Sequence, residues 1–332
     1  MEDDAARVRE LIDYWTPLLL RMCVDAGVIR AFGRSNRSAD EVAVETGTHG
    51  PTVARVLRAL SSRGVFEERD DGTYRLSAVG RRLLPDEPGS LSGLAAFRPS
   101  EIHAWAEAGH SLRTGQQSFQ LHFGQSFWDH LGANPPVAKK FDEQMRQRTT
   151  TMLDLGLSLY EWPEVGTVVD IGGGNGVLLS RVLTHKCRLR GVLFDLPHVT
   201  EHAAPRLRSA GVADRVDIVG GDMFVDELPS GHDIYVLASV LHDWGDAEAG
   251  RILRRCRDAM PPAARLVLFE SVLPIGPEPD LGKMVDLNML VLFGAKERTE
   301  LEWTRLLHQS GLDLVRIVPT PGLSWIEAFP RP

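Results

Sequence analysis

Three residues in the second half of the sequence are of types that together can move a proton. His242 stands in Val240-Leu241-His242-Asp243-Trp244, directly after the apolar, β-branched run Asp233–Ser239, which reads as a strand. Glu270 closes a second such run, Arg265–Glu270, and Glu297 stands in Lys296-Glu297-Arg298-Thr299-Glu300 behind an apolar helix. An imidazole titrates near neutral pH, and a carboxylate beside it can fix its tautomer. His242 with Glu270 or Glu297 would therefore be a supported general base, suited to a phenol, whose pKa of about 10 makes it a poor nucleophile at neutral pH. Taken singly, His242 reads as a structural histidine and Glu297 as a surface partner of Arg298; the set of three favours catalysis.

A second constellation lies upstream. Val168-Val169-Asp170-Ile171 runs into Gly172-Gly173-Gly174-Asn175-Gly176, and a helix is expected from about Val177. Glycines there permit positive φ and close approach of a ligand to the backbone, and the helix start offers free N–H groups. The spacing is G-x-G-x-G. In the G-x-G-x-x-G of dinucleotide sites the third glycine would fall on Val177. Asp195, in Phe194-Asp195-Leu196-Pro197, ends the next strand about twenty residues on, where a carboxylate can accept both hydroxyls of a ribose. Gly221-Asp222-Met223-Phe224 ends a third strand, offering a carboxylate for an adenine amino group and apolar side chains for its faces. Each aspartate alone also reads as a helix cap; successive strand ends give the pair its meaning.

The elements that must position these groups follow from periodicity. Runs at Thr167–Ile171, Gly191–Asp195, Val216–Val219, Asp233–Ser239 and Arg265–Glu270 alternate with helical stretches, the pattern of a parallel sheet covered by helices. Leu314–Val318 and Ser324–Phe329 flank a Pro-Thr-Pro-Gly turn and read as a final antiparallel hairpin. Upstream, residues 5–32 predict one amphipathic helix with a broad apolar stripe. Ser38 and Glu41 form a capping box, Pro51 suits a helix start, and Asp70-Asp71-Gly72 turns a hairpin. Helix, helix, hairpin is a winged-helix pattern. The expected division is a winged-helix-like domain over 1–95, a helical connector over 96–160 and an α/β Rossmann-like domain over 161–332. Phe127, Trp128, Met145, Met289 and Phe293, with Asn288 beside them, are candidates to hold a flat ring, although each also reads as core.

Composition excludes other classes. Cys23, Cys187 and Cys256 are scattered and odd in number, which argues against a disulfide framework or a zinc cluster. Asp243 and Asp246 follow His242, but oxygen ligands from separate loops are lacking, so metal-independent chemistry is expected. No apolar run suits a membrane span and the acidic N-terminus lacks the order of a signal peptide, which predicts a cytoplasmic protein. A net charge of -8 disfavours nucleic acid, and residues 1–90 hold 13 Arg against 15 Asp or Glu, with four acids on the presumed wing. That domain is better used to dimerise than to bind DNA.

The ordered motifs resemble the S-adenosylmethionine (SAM) dependent, metal-independent O-methyltransferases of plant phenylpropanoid and bacterial antibiotic pathways. The likeness covers nearly the whole chain. It rests on the glycine loop, Phe194-Asp195-Leu196-Pro197, Gly221-Asp222-Met223-Phe224, Leu241-His242-Asp243-Trp244, Asp286-Leu287-Asn288-Met289-Leu290 and Lys296-Glu297-Arg298-Thr299-Glu300. The resemblance implies a homodimer through the N-terminal domain and His242 as base, flanked by Glu270 and Glu297. It implies SAM contacts from Gly172, Gly173, Gly174, Asp195, Leu196, Asp222, Met223 and Phe224. Plant members place a lysine where this chain has Ala238, so a contact from Ser239, as in bacterial relatives, is implied instead. Within the family the chain is similar to actinomycete enzymes of aromatic polyketide tailoring, which implies a phenolic acceptor such as a dihydroxynaphthoate. An arginine would then meet the carboxylate, with Arg7, Arg9 and Arg298 as candidates. The competing reading is a relative that binds SAM without methylating, as a hydroxylase, decarboxylase or cyclase.

Overall fold

The computed structural model describes residues 2–87, 89–93, 95 and 99–332, with the side chains of 2, 3, 139, 140, 142–149 and 151 outside that description. The side chain of Met145, one of the ring-holding candidates, therefore lies outside the described residues. The chain forms two compact units, Met1–Pro99 and Ser100–Pro332, so the helical connector belongs to the second. No helix among the described residues is long and apolar enough to cross a membrane.

In the first unit the single helix expected over 5–32 is three: Glu2–Leu11, Trp15–Asp25 and Val28–Phe32. Asp13 makes the first break, accepting the N–H groups of Trp15 and Thr16 and the Thr16 hydroxyl, which starts a new helix rather than continuing the old one. Gly27, at φ 79°, makes the second. The capping box forms as expected, with Ser38 and Glu41 bonding reciprocally at the start of Ala39–Thr46. Helix Gly50–Ser61 buries Val53, Leu57 and Leu60 against Phe32 and Val42, and strands β1 (Phe66–Glu68) and β2 (Tyr74–Leu76) pair antiparallel beside it. The apolar stripe divides. Leu19 and Leu20 meet this core, whereas Val8, Leu11, Ile12, Trp15 and Met22 stay exposed.

The second unit begins with helices Pro99–Ala106, Ala108–Thr114, Ser118–Phe123, Phe127–Ala133 and Pro135–Gly156. Five parallel strands follow: β3 (Gly166–Ile171), β4 (Leu189–Asp195), β5 (Val216–Gly220), β6 (Ile234–Ala238) and β7 (Arg265–Glu270). The two-residue strands β8 (Val272–Leu273) and β9 (Arg298–Thr299) pair parallel outside the main sheet. β10 (Leu312–Pro319) and β11 (Ser324–Pro330) form the expected antiparallel hairpin, joined to β7. The sheet order is β10-β11-β7-β6-β3-β4-β5. Consecutive strands run outward from β3 in one direction and from β6 in the other, so the crevice of an open α/β fold opens at the carboxyl ends of β3 and β6.

Alternation of side chains gives the sheet two apolar faces. Val169, Ile171, Tyr235, Leu237, Leu266 and Leu268 pack under helices Asp246–Ala259 and Glu300–Gln309. Val168, Leu193, Val236, Val267 and Phe269 pack under helix Val177–His185 and the end of Pro135–Gly156. On this second face Trp325 stacks on Phe269 at 4.1 Å between centroids, and its indole N–H donates to the Gly156 carbonyl at 2.9 Å. Trp325→Ala removes a fully buried ring and orphans that carbonyl, so chemical denaturation is expected to show a loss of about 3–5 kcal/mol.

Candidate active site

The first half of the site is the turn after β3. Gly172, Gly174 and Gly176 hold φ of 71°, 59° and 78°, which side-chain-bearing residues rarely adopt. A Cβ on Gly172 would lie 2.9 Å from Val240 and 3.3 Å from Met223; one on Gly173 would lie 2.4 Å from Leu193 and 2.5 Å from Asp170. Gly174 faces open space. Asp195, at the end of β4, accepts the Gly174 N–H at 2.8 Å and the Leu196 N–H at 2.7 Å, which fixes its carboxylate at the rim of the loop. Leu196 is exposed beside it. This is a cradle of bare backbone, helix start and acidic rim, and it fits a nucleoside cofactor with an amino-acid tail.

Beyond β5, Asp222 accepts the Phe224 N–H at 2.8 Å and its own N–H donates to Asp226, so the cap reading of this aspartate holds for one of its oxygens. Met223 and Phe224 lean on the core, and Phe224 meets Trp244 edge to face at 4.7 Å with the Arg251 guanidinium over its ring. Ser239 follows β6 and, at φ 56°, is the one non-glycine with positive φ among the described residues. Its N–H donates to the Phe269 carbonyl.

The second half is the turn Leu241–Asp243. His242 Nδ1 lies 3.0 Å from Glu297 Oε1, and Nε2 lies 3.5 Å from Asp243 Oδ1. Glu270 accepts the N–H groups of Val240 and Leu241 at 2.9 and 2.8 Å. One ligand-type atom from each of His242, Glu270 and Glu297 falls within 4.8 Å of the others. In each glutamate one oxygen is already bonded, and the second is buried with no partner among the described residues. The two roles thus separate, with Glu297 touching the imidazole and Glu270 holding the backbone of its turn.

Electrostatics follow from burial. Burial disfavours charge on His242, but Asp243, Glu297 and Glu270 outweigh it and push its pKa up to about 10. Burial raises Glu270 to about 7, and burial with nearby Asp195 raises Asp170 to about 8. Asp170 sits under the glycine loop, 1% exposed, with neither oxygen bonded among the described residues.

Helix Leu281–Phe293 packs against the His242 turn, and its Asp286 accepts the N–H of Glu297 at 2.8 Å. Of the ring-holding candidates, Phe127 and Met289 are buried, at 3% and 5%, within cores. Trp128 is partly open and stacks on half-buried Phe293 at 5.5 Å, while Asn288 accepts the Trp105 indole N–H at 2.7 Å. One expectation is corrected. Arg298 cannot meet a substrate carboxylate, because it is 0% exposed and its donors are used on Leu241, Trp244 and Asp246. Sequence reasoning missed Asp286 as a support of Glu297; it stands in the quoted Asp286-Leu287-Asn288 run, but its partner eleven residues on becomes visible only in the fold.

Residues 105–313 match the family model of the O-methyltransferase domain, and residues 10–86 match that of the O-methyltransferase dimerisation domain. The chain belongs to the O-methyltransferase family. This O-methyltransferase is 40% identical over 319 residues to a phenazine O-methyltransferase of Lysobacter antibioticus, with 96% of the chain and 93% of the relative covered. It is 35% identical to the 2,7-dihydroxy-5-methyl-1-naphthoate 7-O-methyltransferase of Streptomyces carzinostaticus, covering 96% of each. A mitomycin 7-O-methyltransferase structure superposes with a TM-score of 0.90 at 34% identity, covering 99% of the chain and 98% of the neighbour. A neocarzinostatin-pathway O-methyltransferase solved with SAM and 2-hydroxy-5-methyl naphthoic acid gives 0.87 at 33%, covering 97% and 98%. The family is one of SAM-dependent enzymes of antibiotic and other secondary-metabolite biosynthesis, and SAM is the cofactor.

The three raised groups act on stability in one direction. Asp170, Glu270 and His242 hold protons more tightly folded than unfolded, so their contribution is complete below their unfolded pKa values and is lost as pH rises through about 8, 7 and 10 respectively. Melting of the cofactor-free enzyme is therefore expected to shift to lower temperature from pH 5 to pH 10, and Asp170→Asn to flatten the part that ends at about pH 8. A melting temperature independent of pH over that range would contradict the assignment.

Proposed function

We propose that this enzyme transfers the methyl group of SAM to a phenolic hydroxyl of a small aromatic intermediate in antibiotic biosynthesis, with His242 as general base. The observation that carries this reading is the His242–Glu297 contact at the carboxyl end of the sheet, beside the glycine cradle. With Nδ1–H donated to Glu297, Nε2 is the atom left to take the phenol proton. Gly172, Gly173, Gly174, Asp195, Leu196, Asp222, Met223, Phe224 and Ser239 are the residues proposed to hold SAM. SAM supplies an electrophilic methyl on a sulfonium, and the chain's part is to align the acceptor oxygen and remove its proton.

The raised pKa of His242 adds a condition. The shift favours the doubly protonated imidazolium in the cofactor-free protein, and one of its two protons must leave before it can act as a base. A positive charge brought into the crevice lowers that pKa, so cofactor loading prepares His242. We favour a hydroxynaphthoate-type acceptor held by Trp128, Phe293, Asn288 and Met289, with Phe127 behind them and Met145 also a candidate. Support for this class is the likeness, in sequence and in structure, to the naphthoate O-methyltransferase of neocarzinostatin biosynthesis. The reaction is proposed to run in the cytoplasm.

Labelled SAM offered with a panel of phenols, phenazines, anthracyclines and hydroxynaphthoic acids is expected to label a phenolic oxygen. His242→Ala is expected to bind SAM and lose turnover by about 10²–10⁴-fold. Near-normal turnover in that variant would remove the base assignment, and no labelled acceptor despite tight SAM binding would favour a non-methylating relative.

The exposed residues Leu11, Ile12 and Trp15 are proposed to lie in a homodimer interface formed by the dimerisation domain. Light scattering is expected to give a dimer for the native chain and a monomer for Leu11→Asp combined with Trp15→Asp. A dimer in both would place the interface elsewhere.

A further inference from the structure

We propose that Arg298 is the positioning residue of this active site, clamping the turn that carries His242 to strand β9, which directly follows Glu297. Its guanidinium donates to the Leu241 carbonyl at 3.0 Å and to the Trp244 carbonyl at 2.9 Å, the carbonyls that bracket His242-Asp243. Its Nε donates to Asp246 at 2.9 Å, and the cation lies 5.0 Å from the centre of the Trp303 ring. Through its backbone Arg298 pairs with Val272, two residues beyond Glu270, and it is the neighbour of Glu297 in the chain. One residue, by its side chain and its backbone together, therefore ties the three segments that deliver His242, Glu270 and Glu297.

Geometry makes this a task for arginine. A planar fork carries its donors on three separate nitrogens and so spans two carbonyls and a carboxylate that lie apart, whereas a lysine donates from a single nitrogen and does not cover the same span. Asp246 balances the buried charge, and its own side chain is 59% exposed, so it can be altered with little loss of packing. Released from the clamp, the turn would move relative to Glu297, and displacements on the order of 1 Å cost about 10²-fold in rate. The groups facing His242 are Asp243, Glu270 and Glu297, with Asp286 and Lys296 one shell further out; loss of the Glu297 contact would leave the imidazole easier to deprotonate.

The inference rests on His242 being the base, and the test separates the two. Arg298→Lys, Asp246→Asn and His242→Ala are assayed together for SAM binding by calorimetry and for kcat against pH. Arg298→Lys is expected to bind SAM within about twofold of the native enzyme, to lose kcat by about 10–10²-fold and to move the rising limb of the kcat profile to lower pH. Asp246→Asn should show the same two changes to a smaller extent, and it decides the matter if Arg298→Lys does not fold. Native kcat and profile in the folded variants, with His242→Ala inactive, would overturn the clamp alone. A fall in kcat matched by lost SAM affinity, with an unmoved profile, would also overturn it by showing general destabilisation. An active His242→Ala would overturn both.

Discussion

The site depends on the reversal of strand order between β3 and β6. Two chain segments leave adjacent parallel strands at the same edge and diverge, and the opening between them cannot be closed by either following helix. Gly172 and Val240 meet across that opening closely enough that a single added carbon would strike. The contact sets how far the loop after β3 stands from the turn after β6, and so how far a group held by the first stands from an imidazole carried by the second. Apolar layers on both faces of the sheet make that spacing rigid.

Several carboxyl groups are buried along this edge, and burying them opposes folding unless they are bonded or neutral. The chain uses both solutions. Glu270 accepts two backbone N–H groups, Glu297 takes the imidazole and a backbone N–H from Glu297 itself goes to Asp286, while Asp170 is kept neutral by its surroundings. The site thus gathers several acidic groups around one crevice, a setting that favours a cation over an anion. A sulfonium and an ammonium on one small molecule suit such a place better than a neutral ligand would.

Much of this was legible in the sequence because it depends on local rules. The glycine spacing, the acids at successive strand ends, the capping box at Ser38 and the terminal hairpin each follow from conformational needs of a few neighbouring residues, and each stands where the periodicity put it. Where the reading failed, the deciding partner was distant or competing. The first helix breaks because the Asp13 side chain outcompetes the next helical turn. Arg298 reads as a candidate to meet a substrate carboxylate because nothing local reveals that Leu241, Trp244 and Asp246, more than fifty residues earlier, consume its donors. Phe127 reads equally as ring-holder and as core, and the enclosure by Phe119, Phe141 and Phe293 that places it in the core comes from other segments. Long-range partners of this kind are set by topology, which a linear pattern does not contain.

Ser239 bears a further consequence. A left-handed conformation in a residue with a side chain costs on the order of 1–3 kcal/mol and persists only where the surroundings impose it. Here the imposing contact is the bond from its N–H to the Phe269 carbonyl on the neighbouring strand. A glycine would relax the backbone and keep that N–H, but it would widen the range of φ and ψ open to the junction between β6 and the His242 turn. The residue that joins β6 to the His242 turn is thus held in its bend by the neighbouring strand, so the direction in which that turn leaves β6 is set by the sheet itself.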